Sequence, residues 1–389
     1  MNKLPIYLHT TDTSYSNEDI LLLKDSTILE LYNSKDTYTH IVNFFDQKFY
    51  WTIFDIKNLH SRLESTNYNI HDSKIVINTL YEPRQQEDSL LVHYLLQKFD
   101  IAPENIIFLT CAQQNTKVLP STINSVVLPT LGISFASVLE KPPIESDLPS
   151  SGVTKTKLFS CLTKRITPQR YVLTSLLYRE FNPYIDYEMS LGVESEKIDV
   201  NRINHLITES VKAGGDIFFS EKLPLIFDSP IVDIKANKHY MMKNSSLQNC
   251  MFDIINESVG YDYPDNYTVD NTDNFNYSSE KSFRHLYNFQ VPIFNCRPEY
   301  IEYFKETFKT DLFEDLLPLN EIYTEPDAIK RSIKIVKLLK EWKLNPTFTF
   351  SDIEQRVNSN FRRIHQIFLQ AGNDYHIGLS KIKTALSSR

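Results

Sequence analysis

Short unbroken apolar runs alternate along this chain with longer stretches whose apolar residues fall three and four apart. In the first half, residues 5–9, 74–80 (KIVINTL), 105–110 (NIIFLT) and 123–128 read as strands. Residues 40–50 (HIVNFFDQKFY) are rich in β-branched and aromatic side chains but too short to separate strand from helix by periodicity. Between two of these runs, residues 87–98 carry Leu90, Leu91, Tyr94 and Leu95 at helical spacing. Strand, helix and strand in that order predict βαβ units on a mainly parallel sheet. Residues 140–156 concentrate Pro, Ser and Gly and are read as a linker.

The second half repeats the alternation. Residues 157–161 (KLFSC) and 251–255 and the run Val291–Phe294 are predicted strands. Thr167 and Pro168 are the N-cap and first position of a helix with Val172, Leu173, Leu176 and Leu177 on its apolar face. Further helices are expected over 199–211, before the Gly214-Gly215 break, over Pro298–Phe308, over 328–342 and over 348–372. The last opens on the capping-box-like Thr349-Phe350-Ser351-Asp352. Residues 223–227 form a short apolar run. A helix is also predicted after Ser279, with Phe283, Leu286 and Tyr287 inward. The domains follow as 1–145, 157–345 and a C-terminal helical segment, 346–389, packing back on the body.

Composition narrows the chemistry. The chain has 389 residues, enough for two domains, but only 8 glycines, and neither G-x-G-x-x-G nor G-x-x-x-x-G-K occurs. Phosphate would have to be held by side chains or ordinary helix ends. A net charge of −8 is no footprint for broad binding to a nucleic-acid backbone. Cys111, Cys161, Cys250 and Cys296 are widely spaced and are read as free thiols of a reducing compartment. The amino terminus has too short an apolar run for a signal peptide, and no window approaches a membrane span. The expectation is a cytoplasmic protein without a membrane partner. Asp262, Asp265, Asp270 and Asp273 share a loop, but their spacing fits no EF-hand, and zinc spacing is absent, so no metal or cofactor is expected.

Charge collects where α/β sheets bind ligands, just beyond the carboxyl ends of strands. Glu257 follows one strand, and Glu280 and Lys281 open the next helix. Lys164, Arg165 and Arg170 surround a strand-to-helix turn, where the helix dipole and guanidinium groups favour an anion.

Glu257, then Ser279-Glu280-Lys281-Ser282-Phe283, then Val291-Pro292-Ile293-Phe294 resembles the donor half of fucosyltransferase-like glycosyltransferases and of a related group in large phages and viruses. The turn ending in Pro168-Gln169-Arg170 matches the family's Pro-x-Arg. Phe308–Phe313 resembles its Gly-Phe-Lys-Thr-Phe segment, with Thr307 in place of glycine, and Asn360 falls where members carry an Asn. Asn295-Cys296-Arg297-Pro298 departs from the family's glycine turn. The likeness covers most of 157–370 and, loosely, 66–110.

The resemblance implies an α/β fold of two Rossmann-like domains facing across a cleft (GT-B), with the donor on the second. It implies a nucleotide-sugar co-substrate, GDP- or UDP-linked, and direct inverting transfer. It assigns Glu280 to the ribose, Lys281, Arg165 and Arg170 to the phosphates, and Glu257 to the pocket. Glu82, just past the 74–80 strand, is the candidate catalytic base, with Asp55 and Asp88 behind it. The aspartate loop is then read as a lid. The acceptor stays open among a glycan, a protein and a modified DNA base; a virus would place the enzyme in the host cytoplasm. The rivals are a catalytically inactive nucleotide- or glycan-binding viral protein and a phage DNA-base glycosyltransferase.

Overall fold

The computed structural model describes residues 6–10, 39–43, 74–79, 92–93, 96–97, 101–110, 119–127, 154–163, 166–183, 185–191, 200–216, 219–223, 225, 245–256 and 280–387. The chain divides into two units. One comprises Met1–Ser137, Phe275–Tyr277 and Phe368–Arg389; the other comprises Val138–Asn274 and Ser278–Ile367.

The first unit holds an all-parallel sheet of β1 (Ile6–Thr10), β2 (Thr39–Asn43), β3 (Lys74–Thr79), β4 (Ile106–Thr110) and β5 (Asn124–Val127), paired in sequence order. Ile75, Val76, Ile77 and all five residues of β4 are buried, without alternation of inside and outside. That is the signature of strands covered on both faces. Residues 92–93 and 96–97 are helical, and Val92 is fully buried.

The second unit is also all-parallel, with β6 (Lys157–Thr163), β7 (Tyr187–Leu191), β8 (Cys250–Ile255) and β9 (Val291–Phe294) in the order β7-β6-β8-β9. The chain moves outward from β6 to β7, then returns past β6 to β8. Winding therefore reverses between β6 and β8, and such a reversal opens a crevice at the carboxyl ends of those strands. Every residue of β8 and β9 is buried. Pro292 is tolerated because β9 is an edge strand and needs no donor on its outer side. β7 was not anticipated: Glu188 and Ser190 break its apolar run, and Glu188 pairs with Lys157 on β6 at 2.5 Å. Of 223–227, Leu225 forms an antiparallel bridge to Leu191.

The helices described in this half are α1 (Pro168–Glu180), α2 (Val200–Lys212), α3 (Ser245–Gln248), α4 (Arg284–Tyr287), α5 (Pro298–Phe308), α6 (Leu319–Tyr323), α7 (Ala328–Leu344) and the part of α8 (Phe350–Ser387) up to Ile367, the remainder belonging to the first unit. α7 starts where Asp327 accepts hydrogen bonds from Ile329 N and Lys330 N, both 2.9 Å. It packs on α1, with Lys340 on Glu180 at 2.5 Å and Lys343 on Asp186 at 2.7 Å. At the start of α8, Asp352 Oδ2 accepts from Thr349 N at 2.6 Å and from its hydroxyl at 2.7 Å, one half of the capping box the sequence suggested, while Asp352 N donates to the Thr349 carbonyl at 3.2 Å. α8 runs on through Gly372 to Ser387, past the predicted stop at 372.

The helix expected after Ser279 is the clearest difference. It is one 3₁₀ turn, Glu280–Phe283, followed by the single turn of α4. Ser282–Gln290 are all buried, so the segment has no wet face and is held by side chains rather than by helical length. Phe289, at φ 53°, then turns the chain into β9, its ring packed on Phe361 at 5.1 Å.

Candidate functional site at the carboxyl ends of β6, β8 and β9

Asp253, in the middle of β8, and Arg284, on α4, are both fully buried. Arg284 donates from Nε to Oδ2 at 3.0 Å and from Nη2 to Oδ1 at 2.6 Å, a two-pronged ion pair. Oδ1 also accepts from Ser160 Oγ on β6 at 2.9 Å, and Gln290 Nε2 donates to that same Ser160 oxygen at 3.0 Å. Arg284 Nη1 reaches the carbonyl of Leu162, near the end of β6, at 3.3 Å. Three residues after Lys281, the chain is thus tied to both central strands, to the middle of β8 and near the carboxyl end of β6.

A second polar chain closes over the strand ends. Asn256, the first residue past β8, donates from Nδ2 to Cys161 Sγ at 3.3 Å and accepts at Oδ1 from Asn295 Nδ2, just past β9, at 2.8 Å. Asn295 Oδ1 accepts from Arg331 Nε on α7 at 3.2 Å. The carbonyl of Asn256 accepts from Arg170 Nη2, in the first turn of α1, at 2.9 Å. All of these side chains are buried. Burial pushes the Cys161 thiol up to about 12, which makes it an inert neighbour.

The amino end of α1 lies at the switch point. Thr167 is the N-cap, extended at φ −118° and ψ 159°, with Pro168 at N1 and no side-chain cap bond. Its hydroxyl is buried and meets no hydrogen-bond partner among the described residues. The amino end of this thirteen-residue helix thus carries an N-cap hydroxyl with no partner among the described residues, and Arg170 in its first turn reaches the end of β8. Such a helix end suits an anion.

Of the residues singled out from sequence, Glu82, Arg165 and Glu257 lie outside the described residues, as do Ser279 and the aspartate loop. Glu280 opens the 3₁₀ turn, and Lys281 follows it half-buried. Arg170 is 1% exposed and braces the end of β8. Arg284, Asp253, Asn256, Asn295 and Arg331 were not foreseen. A charged pair hidden in apolar runs carries no pattern of its own; the one available signal was Asp253 interrupting an otherwise apolar strand. The two end pieces noted in the sequence meet: Asn360 accepts from Asp311 N and donates to Asp311 O, each at 2.8 Å. Asp311 also holds Arg356 at 2.5 Å. His285 is not at the surface but buried, its ring 6.1 Å from that of Phe294.

Among the described residues, no group of three or more His, Cys, Asp or Glu is arranged to hold a metal ion, and no helix is long and apolar enough to cross a membrane. The class defined at this level is an α/β protein with two all-parallel sheets, the second reversing its winding beside a helix amino end. No family model matches the chain, and no curated protein matches it. Among solved structures, it is similar to one described as trehalose-6-phosphate from E. coli bound with UDP-2-fluoro glucose, at a TM-score of 0.45 and 10% identity over 93% of this chain and 76% of that one. A likeness of that size supports no inference about activity.

Proposed function

We propose that the protein is a glycosyltransferase that takes a sugar from a nucleotide-sugar donor, with the donor's phosphates at the carboxyl ends of β6 and β8. The observation that carries this is the winding reversal beside the amino end of α1, where the Thr167 hydroxyl has no partner among the described residues and Arg170 stands in the first turn. Phosphate suits backbone N–H groups and cations at such a position, and the need grows as the leaving nucleotide gains negative charge. In this reading Lys281 and Arg165 meet the phosphates, with Arg170 holding the strand end beside them. Glu280 accepts from the ribose hydroxyls, and Glu257 faces the donor pocket. The two parallel-sheet units are taken as the Rossmann-like halves of a GT-B enzyme, with Glu82 as base and transfer by inversion. The fucosyltransferase-like and viral affinities, the acceptor and the choice between GDP and UDP belong to the same proposal.

The test is release of nucleotide from GDP- and UDP-sugars, with calorimetric titration of GDP and UDP. Wild type should bind one nucleotide and slowly hydrolyse its sugar conjugate; Lys281→Ala and Glu280→Ala should lose at least about tenfold in affinity, roughly 1.4 kcal/mol. Binding without hydrolysis, unchanged in both variants, leaves a nucleotide-binding protein and removes the enzyme. Binding of neither nucleotide removes the reading altogether.

A further inference from the structure

We propose that Tyr300 is a positioning residue for Lys281, acting through Ser282; this rests on the nucleotide reading above. Lys281 sits in a 3₁₀ turn followed by a single α turn, too short to fix its own backbone. The next three side chains help to fix it. Ser282 Oγ and Tyr300 Oη share a hydrogen bond of 2.6 Å, both residues buried. The Phe283 ring packs edge-on against Phe308 at 4.9 Å and tilted against Phe304 at 5.5 Å. Arg284 is held by Asp253. Tyr300, Phe304 and Phe308 all lie on α5, so one face of that helix receives the two residues adjoining the ammonium. The aromatic contacts are broad and tolerate small shifts, whereas the hydroxyl pair is a single directional bond one residue from Lys281. Its loss would leave Ser282 Oγ buried without this partner and the turn free to move by fractions of an ångström, enough to misplace a charge against a phosphate.

The experiment is a double-mutant cycle on the full chain, with affinities for UDP and GDP measured by calorimetry in wild type, Tyr300→Phe, Lys281→Ala and the double variant. Tyr300→Phe should weaken nucleotide binding about five- to tenfold on the wild-type background and less than about twofold when Lys281 is already absent. Equal losses on both backgrounds make the bond merely structural and overturn the proposal, as does no loss in Tyr300→Phe alone. If Tyr300→Phe does not fold, Ser282→Ala removes the same bond from its other side and is read by the same comparison. Binding of neither nucleotide by wild type overturns the nucleotide reading and this inference with it; binding with additive losses overturns only the inference.

Discussion

The Asp253–Arg284 pair offers a demanding test of how the second unit is held together. Both side chains are fully buried, and the guanidinium makes two bonds of 3.0 Å or less to the carboxylate. Asp253→Ala would leave a buried cation without its carboxylate, though the carbonyls of Leu162 and Ile254 still lie 3.3 and 3.5 Å away. Arg284→Met would leave a buried carboxylate with, among the described residues, the Ser160 hydroxyl as its remaining side-chain partner. Removing one member of such a pair costs about 3–5 kcal/mol, because the survivor keeps its desolvation penalty without its partner. A domain has about 5–15 kcal/mol in hand, so either variant should sit near the edge of stability. At about 2 kcal/mol per molar urea, the unfolding midpoint should fall by roughly 1.5–2.5 M. Trp342, edge-on to Phe252 at 5.0 Å, reports this unit by fluorescence in a Trp51→Phe background. The double variant Asp253→Ala/Arg284→Met removes both charges, and its loss should fall short of the sum of the singles by at least about 2 kcal/mol. Single shifts below about 0.5 M, or additive losses, would refute the argument.

Other outcomes follow from named contacts. Burial, reinforced by the Arg284 charge and opposed by the Ser282 backbone, pushes His285 from 6.5 down to about 3. The unfolded chain takes up that proton below pH 6.5 while the folded one does so only near 3. Stability should therefore fall as pH drops through this window, by up to about 1.4 kcal/mol per unit, and the slope should flatten in His285→Phe when urea midpoints are compared from pH 4 to 7. Asn360→Ala removes both bonds to the Asp311 backbone and should cost about 1–3 kcal/mol in the same assay. Lys309 closes α5 at φ 50°, exposed and in the left-handed region, so Lys309→Gly should stabilise by about 0.5–1 kcal/mol. A Cβ at Gly215 would press on the Ser210 hydroxyl and lie 2.6 Å from Ser175 Oγ, so Gly215→Ala should lower the midpoint by about 1–3 kcal/mol equivalent.

The parallel strands were legible because buried strands in such sheets are nearly continuous apolar runs, and Lys74–Thr79, Cys250–Ile255 and Val291–Phe294 are of that kind. Helix starts were legible where local chemistry marks them, as at Pro168 in the first position of α1 and at the Thr349–Asp352 cap of α8. β7 was missed because Glu188 and Ser190 break its apolar run and are satisfied by partners on β6, Lys157 at 2.5 Å and Thr163 N at 3.3 Å, that only the fold brings together. The 280–287 segment was misjudged because Phe283, Leu286 and Tyr287 imitate one apolar face, while Ser282, Arg284 and His285 are buried as well by partners far away in sequence. That same distance hid the polar chain from Cys161 to Arg331: Asn256 and Asn295 are ordinary asparagines until the fold brings them to 2.8 Å.

Pro292 has a bearing on how the protein behaves in a crowded solution. Its ring leaves no amide proton, and its carbonyl is taken by the Tyr323 hydroxyl at 3.3 Å. At that point on β9, both groups another chain would need in order to add a strand are withdrawn, so this border of the sheet resists stacking onto a neighbouring molecule during synthesis and refolding.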